Sequence, residues 1–175
     1  MAQPPDERPR IGGVKIRAAT GNDRDAIWKI FQTTIAAGDA FVFDANMSRE
    51  KALGYWCAAE AATFVAEQEG KVLGSYILRA NQPGLGDHIA NAGFMVDPAA
   101  RGLGVGRAMG EHSLEEARRR GYRAMQFNFV VSTNESAVHL WRELGFHIVG
   151  TLPGAFRHAQ KGFVDVYVMF RSLED

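Results

Sequence analysis

The chain has 175 residues, 46% of them hydrophobic and 23% charged, enough for one proper core and too few for two. Lys plus Arg equals Asp plus Glu at 20 each, so the basic field that serves nucleic-acid or anionic-membrane binding is missing and a small-molecule partner is expected. Cys57 is the only cysteine, which excludes an internal disulfide and a multi-cysteine zinc site and fits a reducing compartment, the cytoplasm.

"MAQPPDERPRIGG" is charged and proline-rich without an apolar run. It reads as a loose tail, Met1 to Gly13, ahead of one domain over 14–175, and as neither signal peptide nor membrane anchor. Val14 to Ala18 then reads as a strand. Thr20 with Asp23 forms a capping-box pattern that opens a helix with Ile27, Ile30, Phe31 and Ile35 on its apolar face. "AFVFDANMS", residues 40–48, is an apolar loop, a candidate binding wall, before a second helix from about Ser48 to Ala59. Thr63 to Glu67 and Val72 to Ala80 flank "QEGK" and are expected to pair antiparallel as a hairpin. A further strand runs from His88 to Val96 and stops at Pro98. A helix of about Val105 to Arg120 follows, closed by Gly121, with Glu115–Arg119 and Glu116–Arg120 spaced for ion pairs on its wet face.

"YRAMQFNFVV", residues 122–131, alternates like a strand. Strand, helix and strand make a crossover, so this strand and the one before Pro98 are expected to lie parallel. Ser132 with Glu135 makes a second capping-box pattern, opening a helix that carries Ala137, Leu140, Trp141 and Leu144 and stops at Gly145. "FHIVG" and "FVDVYVMF" supply two last strands around the loop "TLPGAFRHAQKG".

Glycines at 102, 104 and 106 stand where a strand gives way to a helix. A helix N-terminus offers unpaired N–H groups and the positive end of a dipole, so the stretch is built for an anion, and phosphate is the natural one. The alternative is a glycine-rich turn with no ligand. No Lys-Ser/Thr follows, as a P-loop requires, and the dinucleotide pattern counted from Gly104 meets Met109 where glycine is needed.

"RGLGVG", residues 101–106, resembles the Arg/Gln-x-x-Gly-x-Gly/Ala signature of the GCN5-related N-acetyltransferase superfamily. "NESAVHLWRELGF", residues 134–146, resembles its Asn-x-x-Ala-x-x-Leu-Tyr-x-x-x-Gly-Phe segment. The resemblance implies a mixed α/β fold, a twisted, mostly antiparallel sheet of about seven strands with two splayed parallel central strands, flanked by about four helices. It implies acetyl-CoA as cosubstrate and no metal. The coenzyme would be held by Val96, Arg101, Gly102, Gly104, Gly106, Arg107, Asn134 and Trp141, with the N–H near Phe94 polarising the acetyl carbonyl.

Two features depart from that family. The strand positions that often carry a basic Glu or His are Ala90 and Ala92, leaving Asp87 and His88 either to act through water or to form a solvated strand end. Trp141 replaces the tyrosine that often protonates the leaving thiolate, and indole cannot do so. Cys57 reads as a packed thiol, His112 and His139 as helix-face residues, and His147 and His158 as outside any metal-ligand pattern. "GSYILRAN", "NAGFMVDPAARGLGVGRAMGEHS" and "LPGAFRH" also resemble the relatives that acetylate proline analogues such as azetidine-2-carboxylate. That likeness implies a small cyclic amino-acid substrate served by Asn91 and Asn128. Each asparagine could instead bond neighbouring backbone at a strand irregularity. Another amine substrate (an acyclic amino acid, an amino-sugar drug or a protein N-terminus) and a silent coenzyme A-binding module stay open. A homodimer is what the resemblance implies for assembly.

Overall fold

A computed structural model describes residues 13–174, so the tail expected over Met1 to Gly13 lies, apart from Gly13, outside the described residues. Seven strands form one sheet in the order β1-β2-β3-β4-β5-β7-β6: β1 Lys15–Ala18, β2 Ala62–Gln68, β3 Lys71–Ala80, β4 Ile89–Val96, β5 Ala124–Val131, β6 His147–His158 and β7 Gly162–Ser172. Four helices pack on it: α1 Arg24–Ala37, α2 Arg49–Trp56, α3 Val105–Arg119 and α4 Glu135–Glu143. None of the helices among these residues is long and apolar enough to cross a membrane.

Period-two alternation in β3 builds two cores, one on each face. Tyr76 and Leu78 face α3 and α4 together with Met109, Phe127 and Trp141. Ile77 faces α1 and α2 together with Ile27, Phe31, Trp56 and Met95. The one polar group of Trp56, its indole N–H, is satisfied inside: Nε1 donates to Ser75 Oγ at 2.9 Å, and that hydroxyl donates to Phe64 O at 2.8 Å. The expected β2–β3 hairpin forms with Gln68 opposite Lys71, and its two turn residues, Glu69 at φ 52° and Gly70 at φ 78°, supply the left-handed pair such a turn needs.

Thr20 and Asp23 make their capping pattern at a short 3-10 turn, Gly21–Asp23, that leads into α1. There the Asp23 carboxylate accepts from Thr20 N at 2.7 Å and from both Nη atoms of Arg17 at 2.8 Å. The second expected box does not form. Asn134, not Ser132, caps α4, its Oδ1 accepting from Ala137 N at 3.3 Å. Glu116 does pair with Arg120 at 2.7 Å, and also with Arg119 at 2.6 Å, yet it is buried and not on a wet face. Burial opposes its ionisation, and the two guanidinium groups more than offset that, leaving its pKa below the ordinary carboxylate range. The last hairpin is longer than its sequence reads, because β6 continues through Leu152, Pro153 and Gly154 to His158, with register shifts between Ile148 and Gly150 and between Leu152 and Phe156.

Candidate active site

The crossover places β4 and β5 side by side and parallel, as expected, but they pair only at Ile89–Ala124 and Ala90–Met125. Beyond that point the strands part. Asp97 N donates to Leu73 O on β3 at 2.8 Å, and strand alternation turns the N–H groups of Phe94 and Val96 to the opposite side, into the gap. Asn91 stands at the first unpaired step, and its Nδ2 donates to Gln126 O on β5 at 3.0 Å. A side-chain bond thus takes the place of the next rung.

The gap opens into a cleft of about 290 Å³ that crosses the sheet, a size suited to a small acceptor. Residues Ala40 to Phe43 line it, so the apolar loop does form a wall. Phe43 meets Phe31 at 5.2 Å and the Tyr55 ring edge-on at 4.9 Å. At the other end Trp141 is buried between Phe94 and Phe127, 4.8 Å from each ring centroid. Trp141 both packs the first core and lines the cleft. Asn134 lines the cleft too. Its Oδ1 is occupied by Ala137 N and by the Ser136 hydroxyl at 3.2 Å, so only its amide NH₂ is left to donate.

Beside the gap lies the start of α3. Gly102 and Gly104 adopt φ 80° and 78°, which side-chain-bearing residues rarely take, and a Cβ on Gly102 would meet nothing within 4 Å. The first backbone bond that closes the helix runs from Ala108 N to Gly104 O. The N–H groups from Gly104 to Arg107 are therefore left over at the positive end of the dipole, whereas Leu103 N donates to Ala100 O at 3.3 Å, and the free ones, on a loop open to one side, fit an anionic group such as a diphosphate. Arg101 is exposed at the same loop. Arg107 is instead turned toward α4, where it pairs with Glu143, and lies 3.9 Å from Glu111.

The two asparagines expected to serve a substrate are already bonded to the protein. Asn128 Nδ2 donates to Asn81 Oδ1 at 2.6 Å, and Asn128 Oδ1 accepts from Gln126 Nε2 at 2.8 Å. Asn91 must turn its NH₂ to the Gln126 carbonyl, which only accepts, and its Oδ1 is therefore directed elsewhere. Asp87 and His88 are exposed at the far end of β4 and do not line the cleft. Its lining includes no carboxylate and no histidine. The only titratable groups in it are Tyr55 and Arg79, and Arg79 was not among the expected site residues. Cys57 lies outside the lining, and burial pushes its thiol up, as suits a packed residue.

The model of the Acetyltransferase (GNAT) family matches residues 26–146. Among solved structures, a GCN5-related N-acetyltransferase from Kribbella flavida is 42% identical, with a TM-score of 0.89 over 91% of this chain and 98% of that one. A GNAT superfamily phosphinothricin acetyltransferase from Sinorhizobium meliloti, solved in complex with acetyl-CoA, shares the fold at a TM-score of 0.81 and 23% identity, over 91% of this chain and 88% of the other. The N-acetyltransferase aca1 of Schizosaccharomyces pombe is 36% identical over 122 residues, 67% of this chain and 58% of the yeast protein. The matched part thus spans little more than half the length of that relative.

Proposed function

The chain belongs to the acetyltransferase (GNAT) family, and from that premise we propose that it transfers acetyl from acetyl-CoA to the amine of a small amino acid, a cyclic one such as a proline analogue. The observation that carries this reading is the parting of β4 and β5 after two residue pairs, with the Phe94 N–H turned into the gap and the glycine loop beside it. When bound, acetyl-CoA supplies an activated acyl group. The chain's own part is to bind and orient. Backbone N–H groups of Gly102 and of Gly104 to Gly106, with Arg101, hold the diphosphate. Val96, Asn134 and Trp141 flank the arm, and the Phe94 N–H bonds the acetyl oxygen as negative charge grows there. Transfer forms one N–C bond and breaks one C–S bond. With no carboxylate or histidine lining the cleft, and the Tyr55 hydroxyl engaged by Arg79, the amine's proton leaves to water and the thiolate departs without a protein donor.

The small volume of the cleft and its aromatic wall at Phe41 and Phe43 support a compact, partly apolar acceptor over a peptide. The lack of a carboxylate or histidine in the lining favours a second reading, a coenzyme A-binding module without turnover. Thiol release from acetyl-CoA, followed with a panel of amino acids and with acetylated product identified by mass spectrometry, separates the two. Product formation with azetidine-2-carboxylate is expected. Binding of acetyl-CoA with no product from any amine would leave only the module.

A further inference from the structure

Arg79 is the last side chain but one of β3, and strand alternation sets it on the same face as Ile77, over the second core. It is half-buried and lines the cleft. Its Nη2 donates to the Tyr55 hydroxyl at 2.6 Å, and the guanidinium carbon lies 4.7 Å from the centre of the Tyr55 ring. No carboxylate among the described residues pairs with it, and it is the one arginine in the lining of the cleft. The Tyr55 ring and hydroxyl hold the half-buried cation in place, and with no carboxylate beside it the charge is open to an anionic group entering the cleft. The phenol positions the guanidinium, leaving the rest of its fork to face the cleft.

Register supplies the second point of contact. Arg79 stands directly opposite Asn91 in the β3–β4 pair, and side chains so placed are near neighbours. Asn91 offers an oxygen there, because its NH₂ is committed to the Gln126 carbonyl. A cation beside an acceptor oxygen complements a carboxylate beside an amine. In an α-amino acid those two groups sit on one carbon, close enough to meet neighbouring residues. Asn128, by contrast, spends its oxygen on Gln126 and an N–H on Asn81, and serves as a brace at the mouth.

Resting on the acetyltransferase reading, we propose that Arg79 is a specificity-determining residue that recognises the acceptor by its α-carboxylate, while Asn91 Oδ1 receives the amine and the Phe41–Phe43 wall covers the side chain. Acceptors lacking a free α-carboxylate are rejected because they leave the guanidinium without its partner.

The test compares each acceptor with its own carboxamide. Wild type and Arg79→Gln are assayed with acetyl-CoA and the twenty α-amino acids plus azetidine-2-carboxylate, each beside its amide, and binding of the same compounds to the coenzyme A-loaded chain is measured by calorimetry. Wild type should prefer the free acid by about ten- to a hundredfold, and Arg79→Gln should shrink that preference to within about threefold while coenzyme A affinity holds. A purely structural role would lower acid and amide together and leave their ratio unchanged, which would overturn the proposal. It is also overturned if amides serve wild type as well as acids, or if acetyl-CoA binds and no α-amino acid binds or reacts. Carboxylate-dependent binding without turnover would uphold the role of Arg79 and remove the acetyltransferase reading instead.

Discussion

Gly104 gives the sharpest handle on the anion site, because two substitutions there separate backbone strain from charge. It caps α3 at φ 78° and ψ 7°. Gly104→Ala forces a side chain into the left-handed region, a cost of about 1–2 kcal/mol. At about 2–4 °C per kcal/mol for a chain of this size, its melting temperature should fall by about 2–8 °C. Gly104→Asp meets a smaller penalty, since aspartate tolerates that conformation better and can cap the helix, so it should melt no lower than the alanine variant. Their coenzyme affinities should diverge. Aspartate sets a negative charge where the diphosphate would sit, and each charge-assisted bond lost is worth about 1.5–3 kcal/mol, or about ten- to a hundredfold in affinity. Calorimetric titration with coenzyme A, alongside thermal melts, reads both quantities. If the aspartate variant binds coenzyme A within about threefold of wild type, no anion is held at this loop and the reasoning fails.

Asn91→Ala removes the bridge to Gln126 O and the oxygen proposed to receive the amine, so the specificity constant for the amino acid should fall by about ten- to a hundredfold while coenzyme A affinity stays within a few-fold. An equal loss in both would mean that the asparagine only holds the strands together. At the edge of the sheet, the Arg17 guanidinium, followed by the Thr20 groups, overcomes burial and lowers the Asp23 pKa from 3.8 to about 2. Because the folded value lies below the unfolded one, this carboxylate's stabilisation is complete above about pH 4 and is lost as pH falls through about 2, a change on the order of 2 kcal/mol. Urea unfolding across that window should show a steeper decline for wild type than for Asp23→Asn, and parallel declines would contradict the assignment.

Where the chain is punctuated by glycine or alternates cleanly, its structure was legible. The β2–β3 turn, the helix after Gly104 and the parallel pair on either side of it all follow from local signals. Long-range competition hid the rest. Asn134 outcompetes Ser132 for the cap because it stands next to the first helical residue, and a pattern of letters spaced three apart cannot see that. Pro153 and Gly154 read as a loop, but this is the sheet's outermost strand, where bulges and a missing N–H donor are tolerated. Asn91 and Asn128 were legible as cleft residues, whereas their bonds to Gln126 and Asn81 depend on how far the strands part. Arg79 lies in the stretch "GSYILRAN" but was given no role there. The signal available was its alternation: a cation two residues beyond Ile77, on the same face of an otherwise apolar strand.

The short seam between β4 and β5 also has a mechanical meaning. With only two residue pairs across it, and the side-chain bonds of Asn91 to Gln126 and of Asn128 to Asn81, the sheet behaves as two stiff leaves, four strands on one side and three on the other, hinged along a line that ends at Asn91. A molecule seated between the leaves bears on both and acts as a pin, so loading the coenzyme should slow amide exchange at Ala90 and Met125 more than in the centre of β3. Equal slowing everywhere would mean that the leaves were already locked. A fold that leaves its central joint unfinished makes the ligand part of its own framework.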